Sequence, residues 1–588
     1  MIRRVFSDLP TFKNLTLRPG LNVLLAVVDE GSTDRQTRNR AGKTSLVEVI
    51  HFVLGANAGP DSLFRVPELS DRAFGVEFDL GGHPVTVLRR GSDPSKIIVL
   101  DGETRHWPIS PTSYRPTGEI TISNTKWRVV LGELMFGFNQ DLLKQEYQKY
   151  TPSFRSLISY FGRREGAGGF FSPVLNSKQQ VPWDSQVAIS FLLGLDWTIP
   201  HQLQLVRDRE ATLKELRSAA RQGALGSLIS TTAELRTDLT VAEDRVERLR
   251  ASLSGFQVLP EYHELEREVS EKTRRFHRLA SDNTVDRHLL HELQAAMSSE
   301  APPALSNVTD LYEEAGVLLP EQVQTRFEAV REFHNSVLTN RRSYLQGEIE
   351  AIHARIADRD REMSALDARR AEIMLVLRTH GALDSYAALQ GELTRLEAQT
   401  EAIRQRYAAA EQLEGLKTEL DIERQNLFRR LQQDYREQRD VLKHAILVFE
   451  NISKSLYEDA GKLTISESTN GPEFSIRIQG ERSKGITNMQ IYCFDMMLAT
   501  LVSERGPGPG FLIHDSHIYD GVDQRQIAHA LDTGSRVANE RGIQYLVTMN
   551  SDAVPAEFPP GFNFEQHVLP VVLTDSQEDG GLFGFRFG

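Results

Sequence analysis

Hydrophobic and polar positions change their spacing twice along the chain. Up to about residue 200, short apolar or alternating runs are separated by turn-forming glycines and prolines, predicting strands over Gly20–Val28, Ala73–Leu80, Pro84–Arg89, Ile97–Leu100 and Glu119–Ile122. From about His201 to Leu456 the texture is polar and helical. Leu, Val and Ile recur there at spacings of three and four through Leu239–Leu253, Tyr344–Leu377 and Leu389–Tyr407, the narrow apolar seam of a coiled coil, with a stack of ordinary bundle helices as the alternative because several registers are imperfect. The seam is interrupted at Ser254–Pro260, Ser299–Pro320 and Thr379–Asp384. The prolines from Pro302 to Pro320 make 300–320 the expected apex of an antiparallel arm, and a reversal at His380–Asp384 stays open as an alternative. An arm of about 100 residues would extend roughly 150 Å if fully helical. Strand-like runs return after about Leu463: Leu463–Ile465 with Phe474–Ile478, then Gly510–Ile513 and Tyr545–Val547. The expected division is therefore 1–200, 201–456 and 457–588, two α/β halves of one head split by a long antiparallel helical insertion.

Composition narrows this picture. A chain of 588 residues is too long for one core. One cysteine, Cys493, excludes an internal disulfide framework and a cysteine-based zinc site, and a reducing, cytoplasmic setting is expected. No run of about 18 apolar residues occurs, and Met1–Phe6 is broken by charge too soon for a secretory signal, so no membrane partner is expected. The net charge of -13 argues against a chain coated in positive charge, so any nucleic-acid contact needs a local patch. Arg89-Arg90 and Arg163-Arg164 are candidates for one, although paired arginines more often sit on solvated turns.

The segment Asn39-Arg40-Ala41-Gly42-Lys43-Thr44-Ser45 lies between an apolar strand and the apolar run Leu46–Leu54. It reads as a phosphate-binding loop. Amides at a helix start face an anion, Lys43 reaches β- and γ-phosphates, and the Thr44 hydroxyl ligates Mg²⁺. The pattern G-x-x-x-x-G-K-[ST] calls for glycine five residues before Gly42, where this chain has Thr37. The strand–loop–helix context therefore carries the assignment. A second element follows far downstream, where the apolar run Gly510–Ile513 leads through His514 to Asp515, an acid placed to hold Mg²⁺ opposite Thr44.

With these elements in this order, the chain resembles the SMC-like branch of the ABC ATPases, which includes RecN, RecF and the SMC proteins, and within it a bacterial family catalogued largely as a domain of unknown function. The resemblance rests on Asn39–Phe52, Thr151–Phe161, Pro182–Asp196, Arg482–Asp495 and Phe511–Arg525, and it spans both halves and the arm. It implies an ABC-type P-loop ATPase head with ATP and Mg²⁺ as cofactors. It also implies a homodimer in which each ATP is sandwiched between two heads. Ser483-Lys484-Gly485 falls where the family has its Ser-Gly-Gly signature, with Lys484 replacing a glycine. Asp523 corresponds to the loop that touches the opposing head, or is a plain helix N-cap. Asn550 stands where the family has a histidine, and can contact a γ-phosphate without shuttling a proton. For the water- and metal-positioning glutamine, Gln180 is favoured over Gln179 and Gln186.

At the chemical step the chain departs from the family. The position after Asp515, normally a glutamate that polarises water, is Ser516, which cannot act as that base. His514, His517 and Asp520 are the nearby substitutes in sequence. Two functional expectations follow. One is an ATPase whose paired heads drive the arm's action on double-stranded DNA in genome maintenance or anti-phage defence. The other is a weakly hydrolysing, nucleotide-gated scaffold that controls a partner effector or accessory subunit. A small-molecule kinase is disfavoured, because none needs about 250 residues of helix between its two nucleotide motifs.

Overall fold

The computed structural model describes residues 1–27, 42–113, 118–138, 149–221, 231–254, 260–299, 321–377, 383–478, 483–574, 577 and 579–585. The chain divides into two compact units. The first, the head, contains Met1–Leu205, Tyr312–Glu328 and Arg424–Gly588; the second, the arm, contains Val206–Leu311 and Ala329–Glu423. The C-terminal boundary thus falls inside the helix Leu383–Glu437 rather than at 456. The next helix, Arg439–Lys454, belongs to the head because Ala445, Phe449 and Ile452 bury one strongly amphipathic face there.

The head is built on two main sheets. The first has four parallel strands in the order Phe511–His514, Gln544–Asn550, Gly20–Val27, Leu573–Thr574. The strand from the first half of the sequence lies between strands from the second. This is how a split sequence makes one head. Its strands are apolar almost throughout, as expected where helices cover both faces of a parallel sheet. Lys43–Val53, Lys484–Arg505 and Gln524–Arg541 pack against it. The second sheet is antiparallel, in the order Leu15–Thr16, Ile2–Ser7, Ala73–Leu80, His83–Arg90, Lys96–Gly102, Ile120–Ser123, Thr112–Ser113. It shares an aromatic core with the first: Phe52 stacks on Phe64 at 4.1 Å, and both meet Phe74 edge-on. A separate hairpin pairs Lys462–Ser468 with Gly471–Arg477, where two strands were expected.

In the arm, Thr232–Ser254 runs antiparallel to Leu383–Glu437, tied by Glu243–Arg404 at 2.7 Å and Arg250–Glu397 at 2.7 Å. Pro260–Ser299 runs antiparallel to Glu321–Leu377 through Glu268–Arg369, Arg275–Glu362 and Asp286–Arg359. Val269 and Ile373 are buried together between them. The expected apex at 300–320 lies outside the described residues. The expected single reversal is nevertheless too simple. Arg250 and Ser254 line one pocket with Ser270, Tyr386 and Gln390, so the two helix pairs pack against each other there. Among the described residues the arm holds two antiparallel helix pairs rather than one two-stranded coil. Narrow seams explain this, since a second helix pair covers apolar positions that a two-stranded coil leaves wet.

Candidate functional site

The parallel strands point their C-terminal ends to one edge of the head, the place where open α/β sheets gather ligands. Val27 leads there to 28–41, His514 to Asp515, and Asn550 ends the strand between them. The expected loop residues Asn39, Arg40 and Ala41 lie outside the described residues. From Gly42 on the chain is described. Gly42 is left-handed with φ 87° and precedes the helix Lys43–Val53. A Cβ there would come within 2.9 Å of the Leu582 side chain, so only glycine fits. Lys43 is buried at the first helical position, and Thr44 and Ser45 are half-buried.

The structure brings Thr44 to Asp515. The Thr44 hydroxyl donates to Asp515 Oδ2 at 2.7 Å, and His517 Nδ1 lies 3.1 Å from the same oxygen. The other oxygen, Oδ1, accepts from Thr548 Oγ1 at 2.6 Å and from the Ser516 amide at 2.7 Å. Oδ1 is therefore the anchored atom and Oδ2 the one presented to the helix start. Burial alone would raise the Asp515 pKa, but hydrogen bonds from His517, Thr548 and Thr44 outweigh it and hold the carboxyl below its ordinary value. Asp515 conversely raises His517, with smaller contributions from Glu165 and Asp520. Thr548 was not legible in the sequence. It reaches Asp515 only because His514 pairs with Val547 across the parallel strands, which sets Thr548 beside the acid.

The other expected residues divide into those near this edge and those turned elsewhere. The Ser516 hydroxyl lies 3.4 Å from Asp515 Oδ1. Asn550 keeps a buried Oδ1 with no hydrogen-bond partner among the described residues. Ser483 precedes the helix Lys484–Arg505 with its side chain exposed and making no cap bond. Behind it, Lys484 Nζ pairs with Asp520 Oδ2 at 2.9 Å, and Asn488 donates to the carbonyls of His517 and Asp520. The start of that helix is thus braced against the turn that follows Asp515. Asp523 caps the helix Gln524–Arg541 by accepting from the Arg525 amide at 2.9 Å.

The amide of Gln180 accepts from Tyr160 and the Asn176 amide and donates to Asp184 at 2.9 Å. All of these lie in its own loop region, and no bond joins it to Thr44 or Asp515 among the described residues. Gln186 holds the Gly471 hairpin through the carbonyls of Asn470 and Pro472. His514 is fully buried, with Nδ1 3.0 Å from the Tyr545 hydroxyl and Nε2 3.3 Å from Asp495. It is a structural residue, not a substitute base.

The four arginines considered for nucleic-acid contact are already engaged. Arg89 is buried and donates to the carbonyls of Phe52, Ala56 and Pro94. Arg90 pairs with Glu119, Arg163 with Asp495, and Arg164 with Glu48. Arg89 and Arg163 do not occupy solvated turns at all. Dipeptide composition could not show this, because the acids and carbonyls that neutralise them are remote in sequence.

Residues 452–587 match the family described as an uncharacterised protein conserved in bacteria (DUF2326). Residues 288–414 match C-terminal domain 10 of the ABC-three component (ABC-3C) systems. Its likeness in outline is to SMC heads with coiled coils. The Smc head domain with a coiled coil and joint from Pyrococcus yayanosii aligns over 99% of this chain and 96% of that one, at 14% identity and a TM-score of 0.35. The Smc head domain with an extended coiled coil from Pyrococcus furiosus, bound to the C-terminal domain of ScpA, aligns over 94% and 90%, at 10% identity and a TM-score of 0.32. The uncharacterised protein YydD of Bacillus subtilis is 21% identical over 97% of this chain and 96% of its own length. Among the described residues, no helix is long and apolar enough to cross a membrane.

Proposed function

We propose that the head binds ATP with Mg²⁺ at the edge where Thr44 meets Asp515, and that two heads close on the bound nucleotide. In this reading closure controls a partner component of a multi-component system, such as one acting in anti-phage defence. The observation that carries the reading is the 2.7 Å bond between Thr44 and Asp515 at a helix start. A hydroxyl and an ionised carboxylate form an all-oxygen donor set suited to Mg²⁺, which usually takes one or two protein ligands and completes its shell with phosphates and water. When bound, Mg²⁺ would neutralise charge on the phosphates. Lys43 stands next to Thr44, and amides at the same helix start favour an anion. Exposed Ser483, at the start of a 22-residue helix, offers a hydroxyl to the nucleotide of a second head.

A gate for a partner is favoured over a DNA motor for two reasons. The head itself engages the candidate arginines, with Arg89 and Arg163 buried and Arg164 and the exposed Arg90 ion-paired, and a gate needs only nucleotide binding and closure, not fast turnover. The match of 288–414 to a domain of three-component systems supports a partner bound through the arm.

The test measures binding of a fluorescent ATP analogue with Mg²⁺, and ATP-dependent pairing by size exclusion, for wild type and Lys43→Ala. Binding and pairing in wild type, both lost in the variant, are expected. Equal behaviour of the two proteins would sink the reading. Turnover strongly stimulated by double-stranded DNA, and lost in Lys43→Ala, would restore the motor instead.

A further inference from the structure

Hydrolysis at this site needs a group that Ser516 cannot supply. The acids and histidines around it are already committed: Asp515 to four donors, Asp520 to Lys484, His514 to Asp495 and Tyr545. His517 spends Nδ1 on Asp515, and its ring stacks on Phe170.

A different carboxylate arrives from the neighbouring segment of chain. The Ile513 amide donates to the Phe161 carbonyl at 2.8 Å, and Gly162 pairs with Ile513 in parallel. That bridge is isolated, and beyond it the two segments meet through side chains. Arg163 and His514, the next two residues, both reach the carboxylate of Asp495. Arg164 and Asp515 come next, and Arg164 pairs with Glu48 on the helix that starts at Lys43. Glu48 lies four residues beyond Thr44, on the same helix face. Arg164 therefore lies along the face that presents Thr44 to Asp515. After these residues both segments turn into a short 3-10 helix, Glu165–Ala167 in one and Ser516–Tyr519 in the other. Glu165 and Ser516 are each the first residue of the turn that follows its segment.

We infer that Glu165 supplies the carboxylate missing at Ser516 and acts as general base toward the water that hydrolyses bound ATP. This rests on the ATP-binding reading above. The Glu165 side chain is exposed and has no hydrogen-bond or ion-pair partner among the described residues, so its oxygens are available. Its backbone is held. The Gly168 amide donates to the Glu165 carbonyl at 2.7 Å and the Gly169 amide to that of Arg164 at 2.9 Å, while Arg163 holds the carbonyls of Gly169, Ser172, Pro173 and Leu175. A rigid turn with an uncommitted carboxylate is the arrangement a general base needs. In the step, water oxygen attacks the γ-phosphorus and the bond from that phosphorus to the β–γ bridging oxygen breaks. The bridging oxygen leaves with its electron pair on ADP. The proton of the attacking water passes to Glu165, and ADP and inorganic phosphate are released.

The experiment uses the full chain as wild type, Lys43→Ala, Glu165→Gln and Glu165→Gln/Ser516→Glu. Analogue binding, single-turnover phosphate release across pH, and the lifetime of the ATP-bound pair are measured. Glu165→Gln is expected to bind ATP and melt like wild type, to lose about 100-fold or more in turnover, and to form a longer-lived pair. Moving the carboxylate across to Ser516→Glu should recover at least a tenth of the rate. Wild-type binding without turnover, a Glu165→Gln rate within threefold of wild type, or no recovery in the double variant overturns the role of Glu165 and leaves ATP binding standing. Failure of wild type to bind ATP, or unaltered binding by Lys43→Ala, removes the nucleotide reading itself.

Discussion

Arg163 and Asp495 form a two-point ion pair inside the head, Nε to Oδ2 at 2.6 Å and Nη2 to Oδ1 at 2.7 Å, with both side chains fully buried. The pair joins a residue from before the arm insertion to one from after it, and the same guanidinium holds four backbone carbonyls. Arg163→Met leaves Asp495 buried without its cation, for which a loss of about 3–5 kcal/mol is expected. Urea denaturation of the head transition measures it. An unchanged midpoint would show that the pair does not hold the halves together.

Asp515→Asn keeps the shape of the side chain and removes its charge. Affinity for the ATP analogue with Mg²⁺ should fall about 10- to 100-fold, by analogy with the loss of a metal-site partner. In EDTA the two proteins should differ little. Equal affinities in Mg²⁺ would place the cation away from Asp515.

His51 gives the head a pH dependence. Its Nε2 lies 2.6 Å from the Gly162 carbonyl, which only accepts, and its Nδ1 2.9 Å from Arg155, which only donates, so the ring is neutral with the proton on Nε2. Burial first, then the charges of Arg155 and Arg164, hold its pKa well below 6.5. The unfolded chain binds a proton near pH 6.5 and the folded ring resists it. Stability from this group is complete above about pH 6.5 and is lost as pH falls, by at most about 1.4 kcal/mol per pH unit. His51→Gln can keep both bonds without titrating. Denaturation midpoints from pH 7 to 5 should fall less steeply in His51→Gln, and parallel curves would assign the acid sensitivity elsewhere.

Gly485 is required by a close approach. A Cβ there would lie 2.1 Å from the Gly521 carbonyl oxygen, a backbone atom that cannot swing aside. Gly485→Ala should destabilise the head by about 1–3 kcal/mol. It should weaken ATP-dependent pairing beyond that of Thr487→Ala, a half-buried control on the same helix. Pairing that survives Gly485→Ala intact would uncouple the Ser483 turn from the loop after Asp515.

Much of the fold was legible because periodicity is local. The strand Ala73–Leu80 was read with the boundaries it has, whereas the interruptions read at 255–259 and 300–320 lie outside the described residues. The arm topology was less legible. A heptad-like seam says that a helix has partners and does not say how many. Gln180 was chosen for its position before an apolar helix, whereas its amide is committed within its own loop.

By itself the sequence determined where many of the strands and helices form, that a polar helical insertion splits an α/β head, and that Thr44 at a helix start and Asp515 at a strand end are candidate site residues. Tertiary structure alone decided that these two meet across 471 positions, that Thr548 anchors the acid, that Arg163 is interior, and that the segment leading to Glu165 bridges to the strand leading to Asp515. The physical reason is that side-chain periodicity depends on near neighbours along the chain. The pairing of parallel strands, which sets distant residues level with one another, depends on closing the whole sheet.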